Sequence, residues 1–176
     1  MSFRQKLLQL DFQYTQKLGI AEKPGPLRRL AAIFAHSGDS WFCLAGLIFI
    51  WLIGNEFWKQ RAVILAAGVL LSAIIVFAIK LVVRRRRPEG EWGAIYRKTD
   101  PHSFPSGHST RAVMLAVLAL SLGPAWFSIL LALWAPLVVL ARVAMGVHYL
   151  SDVLAGAFLG LLIGLLMIQV ILLMAA

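Results

Sequence analysis

The stretch AVILAAGVLLSAIIVFAIKLVVRRRRP, residues 62–88, decides how the rest of the chain is read. From Ala62 to Val83 it carries a single charge, Lys80, and it matches the ~20 apolar residues a helix needs to cross a bilayer. Four arginines follow, and Pro88 stops the helix. The stretch is a spanning helix with a cationic end at the depth of lipid phosphates.

Outward from it, the same apolar pattern recurs at Ser40 to Trp58, Ser106 to Leu122, Ala125 to Val147 and Asp152 to Ala175. Of the 176 residues 60% are hydrophobic and the mean hydropathy is +0.81, well above the roughly 45–50% apolar content of soluble domains. The expected fold is all-α, a polytopic membrane bundle of about five spanning helices. At the N-terminus Phe3, Leu7, Leu10, Tyr14 and Leu18 recur at helical spacing among Gln and Lys. That pattern predicts an amphipathic helix over residues 1–20 lying in the membrane interface, with a helix packed on the bundle as the bland alternative. Met1 to Leu18 lacks the continuous apolar core of a secretory signal. No linker or repeat divides the chain, so residues 1–176 are read as one domain, with a spanning core over 38–176.

Five crossings put the N-terminal region, the 84–104 loop and the 147–151 turn on one face. Only Lys59 and Arg61 of the 17 basic residues belong to the other. The positive-inside tendency would place that cationic face in the cytoplasm. The net charge of +9 without an RNA-binding aromatic pattern points to anionic lipid and the bilayer as partners, not nucleic acid.

Three polar clusters lie on the cationic face: Lys80 with Arg87-Pro88, Pro105-Ser106-Gly107-His108, and Arg142 with His148 and Asp152. Lys80 follows a long apolar run and needs an anionic partner there. Arg84, Arg85 and Arg86 read as head-group anchors. The second cluster has the form of a helix start, whose free N–H groups and dipole bind anions, although Ser before a helix is most often only a cap. Gly107 permits close backbone approach. Asp152, four residues after His148, is placed to accept a hydrogen bond from one ring nitrogen and make the other a better nucleophile. The bland reading makes Asp152 a helix cap and His148 an interfacial side chain. Arg142 weighs against it, because an arginine inside the bilayer edge is costly.

Other features read blandly. His36 and His102 have no partner at a suggestive spacing, and Asp39 reads as a helix cap. Cys43 is the lone cysteine and no two histidines show ligand spacing, so no metal site and no cofactor are expected. Gly156, Gly160 and Gly164 recur every four residues, for packing within the bundle or, alternatively, a homodimer contact.

Together the three clusters resemble the signatures of the type 2 phosphatidic acid phosphatase superfamily, Lys-x6-Arg-Pro, Pro-Ser-Gly-His and Ser-Arg-x5-His-x3-Asp, in order and in placement on the membrane segments. The superfamily includes vanadium haloperoxidases and bacterial acid phosphatases. Ala141 stands where the pattern has serine. The resemblance implies a membrane lipid phosphatase, with His148 the nucleophile that becomes a phosphohistidine, Asp152 orienting it, and His108 the general acid and then base. It implies that Lys80, Arg87, Ser106, Gly107 and Arg142 hold the phosphoryl group without a metal. Phosphatidate, phosphatidylglycerol phosphate, polyprenyl pyrophosphate and lipid A phosphates are the substrates it offers, with Trp92, Tyr96 and Arg97 of the 89–104 loop as selectors. Phosphotransfer to an alcohol and noncatalytic lipid binding or transport are the alternatives. A bacterial inner membrane location with an outward-facing site follows by analogy, against the charge count.

Overall fold

The computed structural model describes residues 2–90, 92 and 94–175; Met1 of the expected 1–20 segment, Glu91 and Gly93 of the 89–104 loop, and Ala176 lie outside them. Eight helices are described: α1 (Phe3–Leu18), α2 (Pro26–Ser37), α3 (Ser40–Ile53), α4 (Glu56–Val83), α5 (Ala94–Thr99), α6 (Gly107–Leu122), α7 (Ala125–Ala144) and α8 (Leu150–Ala175). The all-α expectation holds.

Three helices, α4, α7 and α8, are long and apolar enough to cross a membrane, and α2 with α3 makes a fourth span if the pair, bent by 67°, is counted as one. The five-span expectation counted α3 and α6 separately, but with 14 and 16 residues each falls below the ~17 a crossing needs. The segment from Ser40 breaks before Trp58 because Asn55 caps α4, its Oδ1 accepting from the Trp58 N–H at 3.2 Å.

α6 is short because it is central. It packs against α4, α7 and α8, and Met114, Leu115 and Leu118 join Leu65, Val69 and Ile163 in the main core. The glycine stripe of α8 makes this approach. A Cβ on Gly156 would lie 2.5 Å from the Ser106 carbonyl oxygen, and one on Gly164 2.8 Å from Val117 Cγ1. The stripe therefore faces α6 of the same chain. Ile74, Leu133 and Leu166 point outward from the spans, as lipid-facing side chains do.

α1 opens with a capping box, Gln5 N–H to Ser2 Oγ at 3.3 Å and Ser2 N–H to Gln5 Oε1 at 2.8 Å. Its apolar residues Phe3, Leu7 and Leu10 are exposed, whereas its polar Asp11 and Thr15 dock on the bundle. Thr15 Oγ1 accepts from the Leu150 N–H at 3.0 Å and Asp11 Oδ1 from the Ser151 N–H at 2.9 Å. Two free donors of the first turn of α8 are thus capped from another helix.

The α2–α3 bend is bolted at the same end of the molecule. Arg111 donates through Nε and Nη2 to the Gly38 carbonyl at 3.0 and 2.7 Å, Arg142 Nη1 donates to the Ala35 carbonyl at 3.0 Å, and Trp134 Nε1 donates to Ser37 Oγ at 2.9 Å. Ala35 packs on Ala141 and Met145 there. Alanine at 141 lets α2 sit close to α7.

Candidate active site

A cavity of about 610 Å³ opens where α3, α4 and α6 meet the 99–102 loop and the turn before α8. Its polar end is formed by Asp39, Lys80, Arg87, Asp100, Gly107, His108, Arg111 and His148; Trp41, Ala73, Val76, Phe77 and Leu81 form an apolar wall toward the bilayer.

Lys80 sits in the last turn of α4 and is almost fully buried. Arg84 closes that helix in the left-handed conformation (φ 50°), which sends the following arginines apart. Arg87 turns inward: Nε donates to the Asp100 carbonyl at 2.6 Å, Nη2 to Asp100 Oδ2 at 2.7 Å, and Nη1 to the Val147 carbonyl at 3.0 Å. Lys80 Nζ pairs with the same Asp100 oxygen. Burial alone would raise the Asp100 carboxyl, but Lys80 and Arg87 outweigh it and hold the group below the usual carboxylate range. Asp100 is a fixed anion between two buried cations.

The other Arg87 contact sets the state of His148. Nη1 lies 3.0 Å from His148 Nε2. A guanidinium has donors only, so Nε2 accepts and the ring proton is on Nδ1. Burial first, and then Arg142, Arg87 and Lys80, hold the imidazole well below the ordinary histidine range, so it is neutral with its Nε2 lone pair among the cations. Gly146, at φ 66°, turns the chain between α7 and α8 to present it.

Asp152 departs from the expected direct hydrogen bond. Its Oδ2 is 3.6 Å from His148 Nδ1, an ion-pair distance, because that oxygen accepts from the Tyr149 N–H at 2.9 Å and Oδ1 accepts from Arg85 Nη1 at 2.7 Å. The carboxylate caps α8 and faces the histidine at once. Arg85 also donates to Ser151 Oγ at 2.6 Å and Asp11 Oδ2 at 2.6 Å. Arg85 is therefore no head-group anchor; it ties the Asp152 carboxylate to α1.

At the start of α6, Ser106 is the N-cap, its Oγ accepting from the Ser109 N–H at 3.4 Å and the Ser109 hydroxyl at 3.1 Å. Gly107 and His108 open onto the cavity. His108 Nε2 lies 2.5 Å from Asp39 Oδ1. Arg142 is fully buried on α7, with Nη1 also 3.3 Å from Tyr96 Oη, and its Nε and Nη2 have no hydrogen-bond partner among the described residues. Among those residues no three His, Cys, Asp or Glu side chains are grouped to hold a metal ion.

A family model described as the PAP2 superfamily matches residues 61–173. The chain belongs to the PAP2 superfamily. Decaprenylphosphoryl-5-phosphoribose phosphatase of Mycobacterium tuberculosis is 32% identical over 148 residues, 82% of this chain and 80% of that one. Among solved structures, LpxE of Aquifex aeolicus aligns with a TM-score of 0.70 at 25% identity, over 91% of this chain and 95% of that one. A transmembrane PAP2 type phosphatidylglycerolphosphate phosphatase of Bacillus subtilis shares the fold, with a TM-score of 0.73 at 23% identity over 93% of this chain and 85% of that one. The chain is an integral membrane phosphatase of the PAP2 lipid phosphatase kind.

All three PAP2 clusters converge. Lys80, Arg87, Gly107, His108 and His148 line one cavity, with Arg142, Ser106 and Asp152 buried beside it. The three loop residues part company. Tyr96 reaches the site, contacting Arg142 and lying 3.1 Å from His36 Nδ1; Trp92 packs with its ring 5.3 Å from that of His36; and Arg97 donates to the Pro88 and Gly90 carbonyls, closing its own loop. Asp39, Asp100, Asp11, Arg85 and His36 were not expected in or around the site. The signal for the acids was charge: buried cations on one face need carboxylates, and these aspartates occupy that face.

Proposed function

We propose that this PAP2 enzyme removes a phosphate from a polyprenyl-linked membrane lipid through a phosphohistidine on His148. The observation that carries the reading is the neutral His148 Nε2 held among Lys80, Arg87 and Arg142 in a cavity whose far wall is apolar. Nε2 attacks phosphorus, and His108 gives a proton to the departing lipid oxygen. His108 then takes a proton from water as that water attacks the phosphohistidine, releasing phosphate and restoring both rings. The cations, the Gly107 N–H and the first turn of α6 stabilise the equatorial oxygens. Asp152 faces Nδ1–H and stabilises charge on the ring.

Two observations support a long-chain lipid. Trp41 and Phe77 on the apolar wall are themselves exposed toward the bilayer, giving a tail a path between α3 and α4. The M. tuberculosis relative is named for a decaprenyl-linked phosphate. We place the enzyme in a bacterial inner membrane with the site outward; the cations of that face hold phosphate and so do not report orientation.

The test is phosphate release by the purified protein from polyprenyl-linked sugar phosphate, polyprenyl diphosphate, phosphatidylglycerol phosphate, phosphatidate and lipid A phosphate. The highest kcat/KM is expected for a polyprenyl-linked substrate. A higher value for phosphatidate would overturn the substrate, and release from none would overturn the reaction.

Asp100 predicts an effect on binding. Its carboxylate holds the cations a phosphoryl group would meet, so Asp100→Asn is expected to lower the inhibition constant of inorganic phosphate roughly fivefold, the scale of about 1 kcal/mol for a partly exposed ion pair. Weaker inhibition would mean that Asp100 only positions Lys80 and Arg87.

A further inference from the structure

We infer that Asp39 is the positioning residue of the general acid, holding His108 as the proton donor to the departing lipid oxygen. The inference rests on the role proposed for His108.

Asp39 lies at the N-cap position of α3, yet its side chain makes no capping hydrogen bond. Oδ1 lies instead 2.5 Å from His108 Nε2, across 69 residues of sequence, and Oδ2 is 3.4 Å from His36 Nδ1. Both partners of the close pair are nearly buried, with side-chain exposures of 13% for His108 and 17% for Asp39. Asp39 lines the cavity beside Gly107, His108 and His148.

The fold builds this contact. Arg111 grips the Gly38 carbonyl, Arg142 the Ala35 carbonyl and Trp134 the Ser37 hydroxyl, so the residues just before Asp39 are fixed by three side chains from two helices. Gly38 packs against the histidine itself: a Cβ there would lie 3.4 Å from His108 Cδ2 and 2.9 Å from Val138 Cγ1. The bend is thereby pressed on one side of the ring and delivers a carboxylate to its edge.

The chemistry needs such a group. His108 is surrounded by Arg111 on its own helix, Arg142 on α7, and Arg87 and His148 from the loops, with the Tyr96 ring 6.2 Å away. A proton-carrying imidazole there is disfavoured by burial first and then by like charge. A carboxylate in contact offsets that repulsion, keeps the proton on Nε2 and fixes the ring plane, leaving Nδ1 to exchange a proton with the reacting oxygens.

The test separates leaving groups. An alkyl phosphate must be protonated as it departs, whereas the 4-nitrophenolate of 4-nitrophenyl phosphate leaves without a proton. kcat/KM reports the first, phosphorylating step in both cases. Asp39→Asn is expected to lower kcat/KM for a polyprenyl phosphate substrate roughly 30-fold, a part of the about 10²–10⁴-fold that the general acid itself supplies, and to change it less than about threefold for 4-nitrophenyl phosphate. Asp39→Glu, which restores the charge, is expected to recover most of the loss. An equal fall with both substrates, or a Glu variant as impaired as Asn, would overturn the inference, since a merely structural role would not discriminate between leaving groups. His108→Ala in the same assays keeps the two readings apart. If it retains full polyprenyl phosphate activity, the assignment of His108 as the acid fails; if it loses activity while Asp39→Asn does not, only the role of Asp39 fails.

Discussion

Replacing His148 by alanine is expected to lower phosphate release by on the order of 10⁵-fold, the scale that follows loss of a nucleophile. Nε2 is the neutral lone pair presented to Lys80, Arg87 and Arg142. The Ser106 hydroxyl is engaged in the cap of α6, accepting from the Ser109 N–H and the Ser109 hydroxyl. The fold should persist, because His148 sits in a turn and Arg87, which contacts its Nε2, keeps its bonds to Asp100 and the Val147 carbonyl. A labelled substrate quenched in alkali is expected to leave phosphate on the wild-type chain and none on His148→Ala. The wild-type pH profile tests the same group. Burial, and then Arg142, Arg87 and Lys80, push the ring well below the ordinary 6.5. As pH falls, the nucleophile therefore stays unprotonated through 6.5, and the acid limb of kcat/KM is expected below it. Full activity in His148→Ala would sink the mechanism.

What the sequence revealed follows from the range of the interactions involved. Spanning helices are visible because lipid demands long apolar runs, and Lys80, His108 and His148 stand out because polar groups at such run ends are expensive. Partners are another matter. Asp39 meets His108 across 69 residues and Asp11 meets Arg85 across 74, and no local pattern encodes either pairing. Arg85 and Arg87 diverge because Arg84 adopts the left-handed conformation between α4 and the loop, which four identical side chains do not announce. The described residues give three to four spans where about five were expected, for a related reason. α2 and α3 form a bent unit held by Arg111, Arg142 and Trp134, and the bend brings Asp39, Ser40 and Trp41 to the cavity.

The two carboxylates touching the histidines also arise from different logic. Asp152 lies one helical turn from His148, so its spacing is readable, but the same carboxylate caps α8 and pairs with Arg85. Asp39 has no such spacing and depends on the bend. A site assembled from three motifs thus relies on a fourth element, α2–α3, that carries none of them.

Arg142→Lys is expected to lower kcat/KM roughly 10²–10³-fold, as removal of one preorganised oxyanion donor does. Arg142 is fully buried and uses Nη1 alone to hold the Ala35 carbonyl and reach Tyr96 Oη. Nε and Nη2, one edge of the guanidinium, have no hydrogen-bond partner among the described residues. Buried unpaired donors cost about 1–3 kcal/mol each, more when charged. A phosphoryl group would satisfy that edge through two parallel bonds, a geometry the point charge of lysine cannot reproduce while also holding Ala35. Arg142→Met separates this role from a structural one. It forfeits the Ala35 bond, worth about 1.5–3 kcal/mol with a charged donor, but relieves a buried cation, whose apolar replacement returns about 1–4 kcal/mol, so thermal unfolding of the detergent-solubilised protein is expected at an equal or higher temperature while activity is lost. A methionine variant that melts lower and keeps its activity would show that Arg142 braces α2 and does not bind phosphate.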